Sequence, residues 1–179
     1  MALLEQIHEE SGAKVEIDVD GTIIVTPASD EHVVAASDLV LQLGMAAPPG
    51  VLVVAEGPIW APLGRENPSY IPDVSVIEAV SLRSGRDGQG LVPAPLVVVE
   101  IISPESRRRD LGEKAEGYWQ GGARAYWTID LPGLAPVDRP TLVIRRRAVD
   151  RWETSDPMTG VVSLDEPFGL RLDLDRLAL

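Results

Sequence analysis

The chain contains no cysteine, which removes disulfides, thiolate nucleophiles and cysteine-based zinc sites from consideration. Lysine is nearly absent too: of sixteen basic residues only Lys14 and Lys114 are lysines, and the rest are arginines. Arginine is a permanent cation, whereas the pKa of a lysine can be lowered until it holds or releases a proton near neutrality. Lys114 therefore invites a chemical explanation, the more so because it follows an apolar run that carries a carboxylate. The opening residues MALLEQIHEESGAKVE place acids where a secretory leader needs a basic region and an apolar core. No stretch approaches about 18 apolar residues, the length of a membrane helix. These absences lead us to expect a soluble, cytoplasmic protein without a membrane partner.

At 179 residues with 45% hydrophobic content, the sequence fits a single domain, residues 1–179, with material for a sizeable core. Its formal net charge of −12 speaks against a nucleic-acid partner, since phosphate contacts require cations. The distribution softens that objection. Residues 1–78 hold thirteen acids and two bases, residues 79–151 nine acids and twelve bases, and residues 152–179 six acids and two bases. Only the part around Lys114 is positive on balance.

Residues 3–9 read as a short helix. Segments 14–19 and 22–26 alternate around Asp20-Gly21, a hairpin signal. Ser29 caps a helix with an acidic first turn, Val33, Ala36, Val40 and Leu43 on one face, and Gly44 near its end. Residues 51–55 and 71–77 read as strands, with 57–70 between them lacking periodicity and 83–95 a further loop. The most apolar run is 96–102, expected as a central strand covered on both faces. Ser103-Pro104 ends it, a helix over 106–120 follows, and Gly121-Gly122 stops that helix. Strands are expected at 123–130, 141–146, 148–154 and 161–164. The order points to an α/β (α+β) fold, a mixed sheet with helices packed on it and an N-terminal β-hairpin.

Glu100 is the anomaly in the central strand, because a carboxylate there must be paired, protonated or metal-bound to offset its desolvation. Asp73 begins another strand, and if the two strands are neighbours their carboxylates meet. Such a pair suits a hard divalent cation such as Mg²⁺, which takes few protein carboxylates and keeps several waters. Asp110, Lys114 and Tyr118 recur every four residues and share one helical face. Lys114 can thus return over the strand end, either to orient a water or accept its proton, or simply to form an ion pair with Glu100.

The ordered elements Tyr70-Ile71-Pro72-Asp73-Val74, Val99-Glu100-Ile101-Ile102-Ser103-Pro104-Glu105-Ser106, Arg109-Asp110-Leu111-Gly112-Glu113-Lys114, Tyr118 and Tyr126-Trp127-Thr128-Ile129-Asp130 resemble the successive signatures of the Uma-two family. These are small bacterial proteins of the PD-(D/E)xK nuclease superfamily. The resemblance covers residues 15–155. It implies a restriction-endonuclease-like core, a Mg²⁺-dependent endonuclease site in which Mn²⁺ substitutes, nucleic acid as substrate with DNA first, and a homodimer. Carried over by residue, Asp73 and Glu100 are metal ligands and catalytic, the Ile101 carbonyl is a third ligand, and Lys114 is the catalytic lysine. The superfamily's usual lysine falls at Ile102, which cannot perform that role, so Lys114 is its replacement. Asp110 is expected to support the site rather than act in it, and Ser103 to end the strand. Glu31, His32 and Asp38 are alternative contributions from the N-terminal helix, with no ground for choosing among them. Tyr118, Trp119, Tyr126 and Trp127 are expected to pack inward rather than stack on bases. Arg107, Arg108 and Arg109 are candidates for phosphate contact, while Arg145, Arg146 and Arg147 cannot share one face of a strand. The competing expectation is a catalytically silent binding or interaction module.

Overall fold

In the computed structural model, residues 13–18, 20–26, 29–56, 59–60, 69–84 and 94–179 are described; the helix expected at 3–9 lies outside them. Strand β7, Val97–Ile102, is buried at every position. It pairs in parallel with β8, Ala125–Asp130, and antiparallel with β6, Val74–Glu78. The sheet continues from β6 to β3, Val51–Ala55, and from β8 through β9, Thr141–Arg147, to β10, Trp152–Thr154. The short β11, Met158–Thr159, also pairs with β9. A parallel neighbour requires a crossover, and the helical segment 107–120 supplies it between β7 and β8. At its end Gly122 takes φ +86° and donates to the Trp119 carbonyl, a left-handed stop that glycine adopts without strain.

Alternation divides β7 between two layers. Val97, Val99 and Ile101 join the main core with Leu39, Leu43 and Trp127, while Val98 joins a second cluster with Tyr70, Tyr118 and Tyr126. Glu100 has the parity of Val98 and faces the layer containing helix 107–120. Ile102 shares that parity and is itself buried.

Helix α1, Asp30–Ala46, starts as expected, with Ser29 accepting from the His32 backbone N–H. Its inward face differs by a small rotation. Ala35, Leu39 and Leu43 are fully buried, whereas Val33 is half exposed at 53%. The helix also continues past Gly44 to Ala46. A second helix, α2, spans Ala79–Ser84 and covers the start of the expected 83–95 loop.

The expected hairpin is present as β1, Lys14–Ile17, and β2, Ile23–Thr26. Asp18 holds its turn, its Oδ1 accepting from the Asp20 and Thr22 backbone N–H groups. Two short strands, β4 at Ile59–Trp60 and β5 at Ser69–Tyr70, fall in the segment that lacked periodicity. They pair with each other, and β5 pairs with β1, so β1 is placed beside the start of β6. Near the C-terminus β12, Val161–Leu164, forms a hairpin with an unanticipated β13, Leu170–Asp173.

The register of α1 has a direct check. Leu39→Ala should cost about 2–5 kcal/mol in urea unfolding, as expected for a truncated core leucine. Val33→Ala should change stability by less than about 0.5 kcal/mol, as at other exposed positions.

Candidate metal and nuclease site

The antiparallel register pairs Val74 with Val99, so one further step sets Asp73 opposite Glu100. The Ile101 backbone N–H donates to Asp73 Oδ2 at 2.6 Å, which fixes that carboxylate against the end of β7. On the other side of Glu100, Lys114 Nζ lies 2.9 Å from Oε1, and the Tyr118 hydroxyl donates to the same oxygen at 2.6 Å. Asp110 reaches Lys114 Nζ at 3.3 Å. The three residues spaced by four therefore converge on the strand carboxylate.

Residues 110–114 are wound as a π-helical turn between the α-helical pieces Arg107–Arg109 and Ala115–Gln120. Such a turn is rare and interrupts the regular hydrogen-bond ladder. Here it contains both Asp110 and Lys114, each 1% exposed.

The hairpin completes the cluster with two residues absent from the expected site. Lys14 and Glu16 are two apart in β1 and so share a face. Glu16 Oε1 lies 2.8 Å from Lys114 Nζ and also accepts from the Ile71 backbone N–H at 2.9 Å. Its Oε2 is paired with Arg109. Lys14 Nζ lies 2.6 Å from Asp73 Oδ1 and 3.7 Å from Glu100 Oε2. Both of the chain's lysines thus meet Glu100, one on each oxygen. Lysine scarcity marked Lys14 as plainly as Lys114, and the alternating hairpin pattern placed it beside Glu16; together they were the available signal.

Of the α1 candidates, His32 reaches the site. Its Nε2 is 2.7 Å from the Ile101 carbonyl, and Nδ1 is 3.2 Å from Ser29 Oγ. The carbonyl has no proton, so Nε2 donates and Nδ1 accepts the hydroxyl proton. Asp38 instead pairs with Arg176 and accepts from Gln42. Glu31 is held at the helix start, where its own backbone and Ser29 lower its pKa. Ser103 and Ser106 hydrogen-bond each other across the turn after β7, a structural role. Arg109 pairs with Glu16 and lines the cleft, while Arg107 pairs with Asp130. Tyr118, Tyr126 and Trp127 are buried as expected. Arg145 lies over Tyr126 and Arg147 over Trp119, while Arg146 pairs with Glu166.

Four carboxylates, Asp73, Glu100, Glu16 and Asp110, face three cations, Lys14, Lys114 and Arg109. Burial and the paired cations act in opposite directions on the titration of the cluster. Burial pushes Glu100 up to about 7, against the pull of Lys114 and Lys14. Burial also opposes ionisation of Asp73, but Lys14 and the Ile101 N–H bring it below the ordinary aspartate value. Desolvation works against charge on Lys114, yet Glu100, Glu16 and Asp110 together raise its pKa. Three carboxylates around it favour the ammonium form, which of the two expected roles suits orienting a water better than accepting its proton.

A cleft of about 510 Å³ opens over this cluster. Lys14, Asp73 and Glu100 line it, with Ile24, Val25 and Val33 among its apolar residues. Among the described residues, no three acidic, histidine or cysteine side chains are arranged to ligate one ion. The site offers two side-chain carboxylates and a backbone carbonyl, all hard oxygen donors.

The fold is α+β, with a central mixed sheet and a helical crossover between its parallel strands. The chain belongs to the Uma2 family, whose profile matches residues 1–175 and is described as "Putative restriction endonuclease". A crystal structure from Anabaena variabilis ATCC 29413, described as a putative nuclease belonging to DUF820, has a similar fold. It is 21% identical and superposes with a TM-score of 0.65, over 91% of this chain and 88% of that one. No curated protein matches the chain. Among the described residues no helix is long and apolar enough to cross a membrane.

Two measurements test the electrostatics. Lys114→Met leaves three buried carboxylates without their common cation and should cost about 3–5 kcal/mol in chemical unfolding. For Glu100, a folded pKa of about 7 exceeds the ordinary 4.5, so between those values the native form binds more protons than the unfolded one. In chelator-treated protein this residue's contribution should decline as pH rises through that window. Glu100→Gln should remove that component of the stability profile between pH 5 and 8.

Proposed function

We propose that the protein is a metal-dependent endonuclease that hydrolyses a nucleic-acid phosphodiester bond, with DNA the first substrate to test. The observation that carries this reading is the meeting of Asp73 Oδ1 and Glu100 Oε2 on a single cation, the Lys14 ammonium, at the cleft. Their other oxygens are occupied by the Ile101 N–H and by Lys114 and Tyr118. These three inward bonds orient the two outward oxygens. An all-oxygen set with surplus negative charge fits Mg²⁺ or Mn²⁺, which need few protein ligands.

Asp73 and Glu100 would hold the ion, with the second lone pair of the Ile101 carbonyl as a third donor; His32 uses the first. When bound, such an ion lowers the pKa of a water and offsets charge on phosphate oxygens. Lys114 then serves by position: as an ammonium it fixes Glu100 and keeps its outer oxygen turned to the cleft. Tyr118 supports the same oxygen from the helix. Hydrolysis adds water across one P–O bond, leaving a phosphate monoester and a free hydroxyl. The homodimer implied by family membership is part of this reading.

A silent binding module is the second reading, favoured by the internal pairing of every site carboxylate and the overall charge of −12. Cleavage decides between them. Purified protein with Mg²⁺ or Mn²⁺ should cut at least one of single-stranded DNA, duplex DNA or RNA, and EDTA should stop it. Asp73→Asn should lower the rate by at least about 100-fold, the scale expected when electrostatic stabilisation of a transition state is lost. Equal cleavage by wild type and Asp73→Asn would assign the activity to a contaminant and leave the binding module.

A further inference from the structure

The two lysines reach Glu100 from opposite sides and in different surroundings. Lys114 is enclosed, its side chain 2% exposed, and it holds Oε1 from the helix. Lys14 comes from the hairpin, its side chain is 13% exposed, and it faces Oε2 together with Asp73 Oδ1. The oxygens that would bind a metal are the oxygens that Lys14 touches. Two cations cannot share that position.

We propose that Lys14 and the divalent ion exchange places: the ion takes the position between Asp73 and Glu100, and the Lys14 ammonium moves outward into the cleft. There it becomes the cation beside the substrate phosphate. The significance for catalysis rests on the nuclease reading above, but the exchange itself does not.

Charge counting supports exchange over simple addition. With Lys14 in place and Glu100 ionised, as a metal ligand must be, four carboxylates face three single positive charges. A divalent ion replacing Lys14, alongside Lys114 and Arg109, brings the cluster to neutrality. The ion added without the departure of Lys14 would leave an excess positive charge in a desolvated space, with the ammonium and ion in mutual repulsion. Geometry supplies the exit. Lys14 lies on a strand of the small outer sheet and lines the cleft, and lysine's four-carbon stem lets its head swing without moving the backbone. Lys114 has no such freedom, being held by Glu16, Glu100 and Asp110 at once.

The chain's two lysines make the test direct. Selective ¹⁵N and ¹³C labelling of lysine should give two ammonium side-chain signals, assigned with Lys14→Gln. Titration of the full-length protein with Mg²⁺ should move the Lys14 signal toward that of a solvent-exposed lysine and leave the Lys114 signal nearly in place. In calorimetry with Mn²⁺, Lys14→Met and Lys14→Gln should each bind roughly tenfold tighter than wild type, since a competing charge has been removed. Asp73→Asn added to either variant should abolish that gain. Unchanged or weaker Mn²⁺ binding in both Lys14 variants would overturn the exchange, as would a Mg²⁺ response confined to Lys114 or absent from both lysines. Tighter Mn²⁺ binding by the Lys14 variants in a protein that cleaves nothing would uphold the exchange while ending the nuclease reading.

Discussion

A carboxylate in the middle of the most apolar strand is the constraint from which the site follows. Glu100 is 2% exposed between neighbours that are themselves buried, and an uncompensated charge there would cost several kcal/mol of desolvation. Compensation has to come from beyond the strand, because the alternating partners on its own face, Val98 and Ile102, carry no polar group. It arrives from two elements far apart in sequence: the crossover helix brings Lys114 and Tyr118, and the hairpin brings Lys14. Each acid added to hold those cations then requires further pairing. Glu16 supports Lys114 and takes Arg109; Asp110 supports Lys114; Asp73 takes Lys14.

The same network joins the outer sheet to the central one. The hairpin contributes Val15 to the buried set, yet its other inward positions are the charged pair Lys14 and Glu16. Its seat is therefore as much electrostatic as apolar. Reorganising charge at the carboxylates would be felt by the hairpin directly, through Lys14. The cleft's carboxylates and its outer wall are thus linked directly through Lys14, and also through Glu16 by way of Lys114.

Most of the central architecture could be read in the sequence, since it depends on short-range signals. The continuous run 96–102 could only be an enclosed strand, Asp20-Gly21 made the hairpin, and Ser29 capped α1. The return of Lys114 over the strand end followed from its helical spacing, whereas the pairing of the Asp73 and Glu100 strands was left as a condition that the sheet meets. What escaped was set by tertiary contact. The α1 stripe was displaced because Ala35 and Leu39 serve as well as Val33 and Ala36 in a helical pattern, and packing on the sheet chooses between them. The strands at 59–60 and 69–70 are two residues each, too short for any period to show. The π turn at 110–114 holds the buried Asp110 and Lys114, and helix propensity gives no sign of it. Lys14 and Glu16 were not joined to the site because alternation tells which residues share a face, but not that this face would close over Glu100.

The scarcity of lysine also acquires a different explanation from the one composition suggested. A lowered pKa is not the reason, for both Lys14 and Lys114 are raised by the carboxylates around them, against the effect of burial. Shape of the donor is the better account. An ammonium has three N–H bonds that diverge from a point, and Lys114 meets three carboxylates, on Glu16, Glu100 and Asp110. A planar guanidinium presents its donors as a fork suited to one carboxylate at a time. The arginines do just that: Arg139 takes Asp175, Arg146 takes Glu166 and Arg107 takes Asp130, all at partly or fully exposed positions. Lys14 follows the same logic from the other side. It sits between two acids as a compact point charge, and of the side chains available it most nearly imitates a metal ion. A guanidinium in its place would be too broad to lie between Asp73 and Glu100 and too firmly forked onto one of them to yield to a competing cation.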